Sequence, residues 1–195
     1  MKTEEAVQEL KSYIEASYAK TMEPLAPGIV RGHLRSISTD IEDGIALFVS
    51  HVLPEGYKLL LDPSIHVDGV NNRPDLLVVN ESNAVRAMIE IKANMGWCRN
   101  ASGVLDDIVS NDAKFKSQGR LSCEFSKEET IEVSYGEGVK LFLVALTDSN
   151  CTEKKHIANK AYADSVGVHQ YNLFSGWYGG LTPLEVETFA AELLK

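Results

Sequence analysis

Apolar residues recur at three- and four-residue intervals near the start of the chain, with Val7, Leu10, Ile14 and Tyr18 in step. That spacing predicts an amphipathic helix over residues 4–20. Residues 22–28 hold Pro24, Pro27 and Gly28 and read as a connector. A second stripe, Ile41, Ile45, Phe48 and Val49, predicts a helix from about Asp40 to Leu53. Thr39 is its expected N-cap, Glu42 completes a capping box, and Pro54-Glu55-Gly56 ends it. The period then changes. Strands are predicted at about 57–67, 75–80 and 84–92, the last two joined by a polar turn from Asn80 to Asn83. Leu105, Ile108 and Phe115 mark a helix over 104–117. The acidic segment 121–138 alternates weakly and reads as a short hairpin or a mobile insertion. Lys140 to Thr147 is a continuous apolar run, as a fully buried strand would be. A helix at 152–165, a strand at 168–173 and Gly-rich aromatic turns at 175–180 follow. A last helix has Thr182 as its expected N-cap, Pro183 at its first position and Glu185 in a capping box.

The core order is helix, three strands, helix, strand, which predicts an α/β domain with a mixed central sheet flanked by helices. At 195 residues one domain is expected. A hydrophobic fraction of 44% argues against disorder. No apolar run approaches the ~18 residues of a membrane span, so no membrane association is expected. The N-terminus is acidic and lacks a signal-peptide core, and the three cysteines, Cys98, Cys123 and Cys151, are widely spaced. They suggest neither a disulfide framework nor a zinc site, and the expected location is the cytoplasm. Neither a phosphate-cradling G-x-x-x-x-G-K-[ST] loop nor a dinucleotide fingerprint is present, so no organic cofactor is expected.

The net charge of −9 counts against a protein that coats DNA without specificity. The charge is segregated, however. Glu124, Glu128, Glu129, Glu132 and Glu137 crowd one segment against Lys127 alone. Arg86, Lys92, Arg99, Lys114, Lys116 and Arg120 surround another, with Arg31, His33 and Arg35 upstream. One face can therefore be neutral or basic.

The chemistry concentrates at residues 74–92. Asp75 opens one predicted strand, and Glu90 and Lys92 close the next. Strand side chains alternate between faces, so Glu90 and Lys92 project to one side, roughly 7 Å apart along the strand. A hairpin brings Asp75 alongside. Two carboxylates and an ammonium together are costly unless something else binds there, and a divalent metal with a phosphate satisfies them.

Pro74-Asp75, a fourteen-residue spacer and Glu90-Ile91-Lys92, set in this order of elements, resembles the PD-(D/E)XK nuclease superfamily. Glu42 stands on the preceding helix, where many members carry an additional glutamate, and Gly96-Trp97-Cys98-Arg99 is similar to a turn in restriction-enzyme-like members. The resemblance covers about residues 38–147. It implies a restriction-endonuclease-like αβββαβ core and Mg²⁺-dependent hydrolysis of DNA, with Mn²⁺ as a substitute. It implies Asp75, Glu90 and the Ile91 carbonyl as metal ligands, with Glu42 bound directly or through water. Asp40 or Asp43 would take that place if the helix is rotated. Lys92 would orient the attacking water or offset charge on the phosphate. Arg99, Lys114 and Lys116 would contact DNA, although lysines there are as often solvated and Asp112 can pair with Lys116. A homodimer fits a substrate with two strands to cut. The competing reading is a nuclease-fold subunit or interaction module without catalysis.

Overall fold

Two amphipathic helices, α1 (Thr3–Met22) and α2 (Ser38–Val52), lie antiparallel neighbours in the core through Leu10, Ile14, Ile41 and Ile45. The computed structural model describes residues 3–23, 36–96, 98, 100–126 and 128–195. The predicted connector at 24–28, Arg31, His33, Arg35, Trp97, Arg99 and Lys127 lie outside the described residues. Helix α2 begins one residue before the expected cap. Ile37 is its N-cap and is buried, its carbonyl accepts the Ile41 N–H at 2.9 Å, and no side chain caps the end. Burying Ile37 places Thr39 inside the first turn, so Thr39 is not the cap and Glu42 is not part of a capping box.

The predicted strand at 57–67 is two strands. β1 (Lys58–Leu61) and β2 (Ser64–Val67) are separated at Asp62, whose φ is 49°, and at Pro63. The bend sends β2 into a hairpin with β3 (Val70–Asn72), turned by Asp68-Gly69. Both turn residues have positive φ, as such two-residue turns require. β4 (Leu76–Val79) and β5 (Val85–Asn94) form the predicted hairpin. Helix α3 (Ala101–Gln118) ends at Gly119, φ 68°, a left-handed cap that glycine accommodates. The acidic segment folds as a second hairpin, β6 (Arg120–Glu124) with β7 (Thr130–Ser134). β8 (Lys140–Thr147), α4 (Glu153–Ser165) and β9 (Val168–Ser175) follow as read from the pattern.

The expected start of the last helix is a strand instead. Thr182 and Pro183 form β10 against β9, and α5 runs Val186–Leu193. The chain beyond Pro183 keeps bonding to β9, with Leu184 N–H to Leu173 O at 2.9 Å and Glu185 N–H to Asn172 O at 3.2 Å. Sheet pairing thus outcompetes the local capping pattern. The Glu185 carboxylate accepts the Asn172 N–H and pairs with Lys160.

The main sheet has the order β1-β4-β5-β8-β9-β10, antiparallel at both ends and parallel from β5 through β9. A second sheet, β3-β2-β6-β7, is assembled from the two hairpins. Helices α1, α2 and α5 cover one face of the main sheet through Ile14, Phe48 and Phe189, which pack on Ile89 and Val144. Helix α3 and the second sheet lie over the other, where Met88, Leu143, Leu105, Phe115 and Tyr135 meet. No helix among the described residues is long and apolar enough to cross a membrane.

One buried polar link fastens the second sheet to α3. Tyr135 Oη donates to Asp112 Oδ1 at 2.9 Å, and Asp112 also pairs with Lys116 at 2.8 Å. Burial, reinforced by the Asp112 carboxylate, pushes the Tyr135 phenol far up, so it stays a donor. Asp112→Ala leaves a buried hydroxyl unpaired, and a loss of about 2 kcal/mol of stability in urea unfolding is expected. Tyr135→Phe combined with Asp112→Ala should recover part of it.

Candidate active site

The register of one hairpin builds the site. Leu76 lies opposite Ile89 and Leu77 opposite Met88 in the β4–β5 pair. One step beyond the last pair, Asp75 comes beside Glu90. Along β5 the side chains alternate. Ile89 and Ile91 are buried under α1 and α2, while Met88 joins the α3-side core. Glu90 and Lys92 continue the Met88 side to the point where the hydrophobic filling ends. β5 pairs with β8 over its whole active stretch, with Glu90 beside Leu143 and Lys92 beside Ala145, so the acidic and basic side chains rise from an interior strand.

The polar contacts are tight. Asp75 Oδ2 accepts the Ile91 N–H at 2.6 Å, which fixes its carboxylate on the backbone between Glu90 and Lys92. Lys92 Nζ donates to Glu90 Oε1 at 2.6 Å and to the Ile91 carbonyl at 3.2 Å, and stands 4.0 Å from Asp75 Oδ2. The three side chains keep 21% (Asp75), 25% (Glu90) and 30% (Lys92) of their exposure, half-buried yet open to a ligand.

The electrostatics carry the mark of a crowded site. Burial, with the Glu90 charge next, pushes Asp75 up to about 7, against the pull of the Ile91 N–H and Lys92. Burial depresses Lys92, but Glu90 and Asp75 outweigh it and hold the ammonium above its ordinary value. Glu42 is raised by burial and then by Asp62, with Lys92 opposing and Asp43 and Glu90 adding. Glu42 therefore lies within electrostatic reach of Glu90 and Lys92, although it stands on α2. Carboxylates raised by burial and like charge beside a lysine mark a functional-site candidate.

Among the described residues no three His, Cys, Asp or Glu side chains converge as a ready metal cluster. The donors at hand are two carboxylates and the Ile91 carbonyl, all oxygen. That set suits Mg²⁺, which is held by one or two carboxylates and keeps waters and substrate phosphate for its other positions. Lys92 supplies the positive charge the two carboxylates share.

A cleft of about 280 Å³ adjoins Glu90, walled by α3 and by residues 71–74, and Lys114 lines it. Lys116 points elsewhere, into ion pairs with Asp112 at 2.8 Å and Glu137 at 3.6 Å. Asp40 and Asp43 act on the Tyr13 phenol, and Asp43 also on Glu42. Tyr178 is buried against Tyr18 and donates to the Ala93 carbonyl at 3.3 Å, a packing role that steadies the end of β5. His156 bonds to buried Asn172 within the α4–β9 layer. Two residues were not expected here. Arg73 lines the cleft and pairs with Asp62 at 2.6 Å. Asn94, at the end of β5, bonds Ser149 at 2.6 Å and receives the Gly96 N–H at 2.7 Å, tying down the loop after Lys92. Gly96 is required there, since a Cβ would fall 2.2 Å from the Asn150 backbone.

The chain shares its fold with NucC of P. aeruginosa ATCC27853, solved in a cAAA-bound form. The TM-score is 0.53 at 11% identity, over 99% of this chain and 90% of NucC. No protein-family model matches the chain, and no curated protein matches it. The likeness to NucC reaches well beyond residues 38–147. It takes in α1 and the C-terminal third, which lie outside that span. At this identity the likeness to NucC is one of architecture, and the roles of residues here rest on their own geometry.

Proposed function

We propose that this chain is a Mg²⁺-dependent phosphodiesterase acting on DNA, with Mn²⁺ as a substitute. The observation that carries the reading is the Asp75–Glu90–Lys92 cluster, two carboxylates and an ammonium gathered on one hairpin with Asp75 held near neutrality. Asp75, Glu90 and the Ile91 carbonyl would hold the metal, with Glu42 reaching it through water. The metal, when bound, polarises the phosphate and lowers the pKa of a water. Asp75 is kept in place by the Ile91 N–H. A cation held beside it would favour its ionised form, since an opposite charge favours the carboxylate. The same cation would share the Glu90 carboxylate that Lys92 now contacts at 2.6 Å. The Lys92 ammonium would orient the attacking water and offset charge that develops on the phosphate.

Calorimetric titration with Mg²⁺ and Mn²⁺ tests the ligand set. Wild-type protein is expected to bind, and Glu90→Ala to lose at least about ten-fold in affinity. A chain that is folded by circular dichroism yet takes up neither ion would favour the non-catalytic module.

A further inference from the structure

The cleft beside Glu90 is more than an approach to the cluster. One wall is a stripe of α3, Asp107, Asn111 and Lys114, spaced to share a face. The other wall is the chain leading from β3 into β4, where Arg73 stands two residues before Asp75. Val104, half-buried on α3, contributes apolar surface, and Met88 and Ile108 lie buried behind it. The two cationic side chains are therefore presented to a space continuous with the candidate active site. Asp107 and Lys114 are separated by about 10 Å along the helix axis, so acidic and basic groups occupy different ends of the wall. Lys114 is only weakly engaged, 3.5 Å from Asn111 Oδ1. Arg73 pairs with Asp62 at 2.6 Å and keeps 56% of its side-chain exposure.

Size and lining together narrow the ligand. The volume, about 280 Å³, sits at the small end of ligand pockets and does not accept the breadth of a paired duplex. Cations suit a phosphate, the amides of Asn71 and Asn111 suit the edge of a base, and the Val104 side chain suits its face. A duplex offers the first to a narrow cleft but keeps its base faces stacked. Only an unpaired nucleotide offers all three.

We infer that this cleft is the subsite for one unpaired nucleotide next to the scissile phosphate, with Arg73 and Lys114 on its phosphate, so that the substrate is DNA with a single-stranded segment. The inference rests on the proposed phosphodiesterase reading and deepens it.

Binding, measured apart from cutting, tests it. Anisotropy of a labelled single-stranded oligonucleotide, and of the same sequence as a duplex, is followed with Ca²⁺ replacing Mg²⁺ over a range of salt. The wild type is expected to bind the single strand at least ten-fold more tightly. Arg73→Ala and Lys114→Gln should each weaken that binding about ten-fold and lower the slope of log affinity against log salt by about 0.7. Wild-type affinity and slope in both variants would overturn the subsite even if the protein cuts DNA. Preference for the duplex would overturn the unpaired nucleotide. Single-strand binding through Arg73 and Lys114 with no cutting in Mg²⁺ or Mn²⁺ would instead leave the subsite standing and remove the phosphodiesterase reading.

Discussion

Lys92→Ala is expected to lower Mg²⁺-dependent cutting of DNA by about 10²–10³-fold, the usual cost of removing one preorganised charge from a reacting phosphate or oxyanion. Asp75→Asn should do at least as much, because it removes a proposed metal ligand and keeps only the shape. The two variants fail for different reasons, and metal binding separates them. Lys92 makes no bond a metal needs, so Lys92→Ala should still bind Mg²⁺ in calorimetry while failing to cut. It should bind somewhat more tightly, since the ammonium 2.6 Å from Glu90 no longer competes for that carboxylate. Asp75→Asn should lose both. Lys92→Arg keeps the charge but exchanges a compact ammonium for a broad planar fork, and recovery below a tenth of wild-type activity is expected. Cutting that persists in Lys92→Ala and Asp75→Asn alike would place the chemistry elsewhere. The assay reads linear and relaxed products from a supercoiled plasmid, with a single-stranded oligonucleotide in parallel.

The cluster was legible in the sequence because a tight hairpin turns sequence spacing into proximity. Once 75–80 and 84–92 are read as paired strands, Asp75 must return beside Glu90, and the two-residue period puts Lys92 on the same side. The same logic failed where pairing is distant. Nothing local announces that β2 leaves β1 to join β6, more than fifty residues on, through Ile65 opposite Cys123. Arg73 and the cleft were invisible for that reason, since the wall that carries Arg73 depends on where β2 and β3 settle. Capping patterns failed in a different way. Thr182-Pro183 has every feature of a helix start, yet the chain there bonds to β9, and Thr39 was displaced because Ile37 is buried. In both cases a bond or contact with the core outweighs a cap worth about 1 kcal/mol. Glu42 lies between these cases. Its place on α2 was read correctly, but its nearness to Lys92 depends on how α2 packs across the sheet.

In the absence of metal, Asp75→Asn is expected to make the protein more stable at pH 8, not less. Asp75 is held up to about 7 from an ordinary 3.8, burial being the larger cause and the Glu90 charge the next. The folded chain therefore retains a proton that the unfolded chain releases. A raised folded value means that stability is greatest below the unfolded pKa and is lost as pH rises from about 4 to about 7. At pH 8 the folded wild type carries the full cost of an ionised, crowded carboxylate. Asn has no charge to desolvate, and its carbonyl oxygen still accepts the Ile91 N–H. The gain should be on the order of a few kcal/mol, with the Lys92 attraction already contained in the raised value of about 7. In a chain of this length that raises Tm by several degrees. The difference between variant and wild type should be small by pH 4 and vanish only below the unfolded value of 3.8, where Asp75 is protonated in both states. Saturating Mg²⁺ should reverse the order, because the ion binds the folded wild type and stabilises it by mass action, while the variant has lost the ligand. Thermal melts at pH 4, 6 and 8, with and without Mg²⁺, read all of this at once. A variant less stable than wild type at pH 8 in chelator, or indifferent to pH relative to it, would mean that Asp75 is an ordinary structural carboxylate. The expected reversal follows from the proposed site: the hairpin brings together charges that oppose folding when alone, and a cation bound among them would relieve that cost.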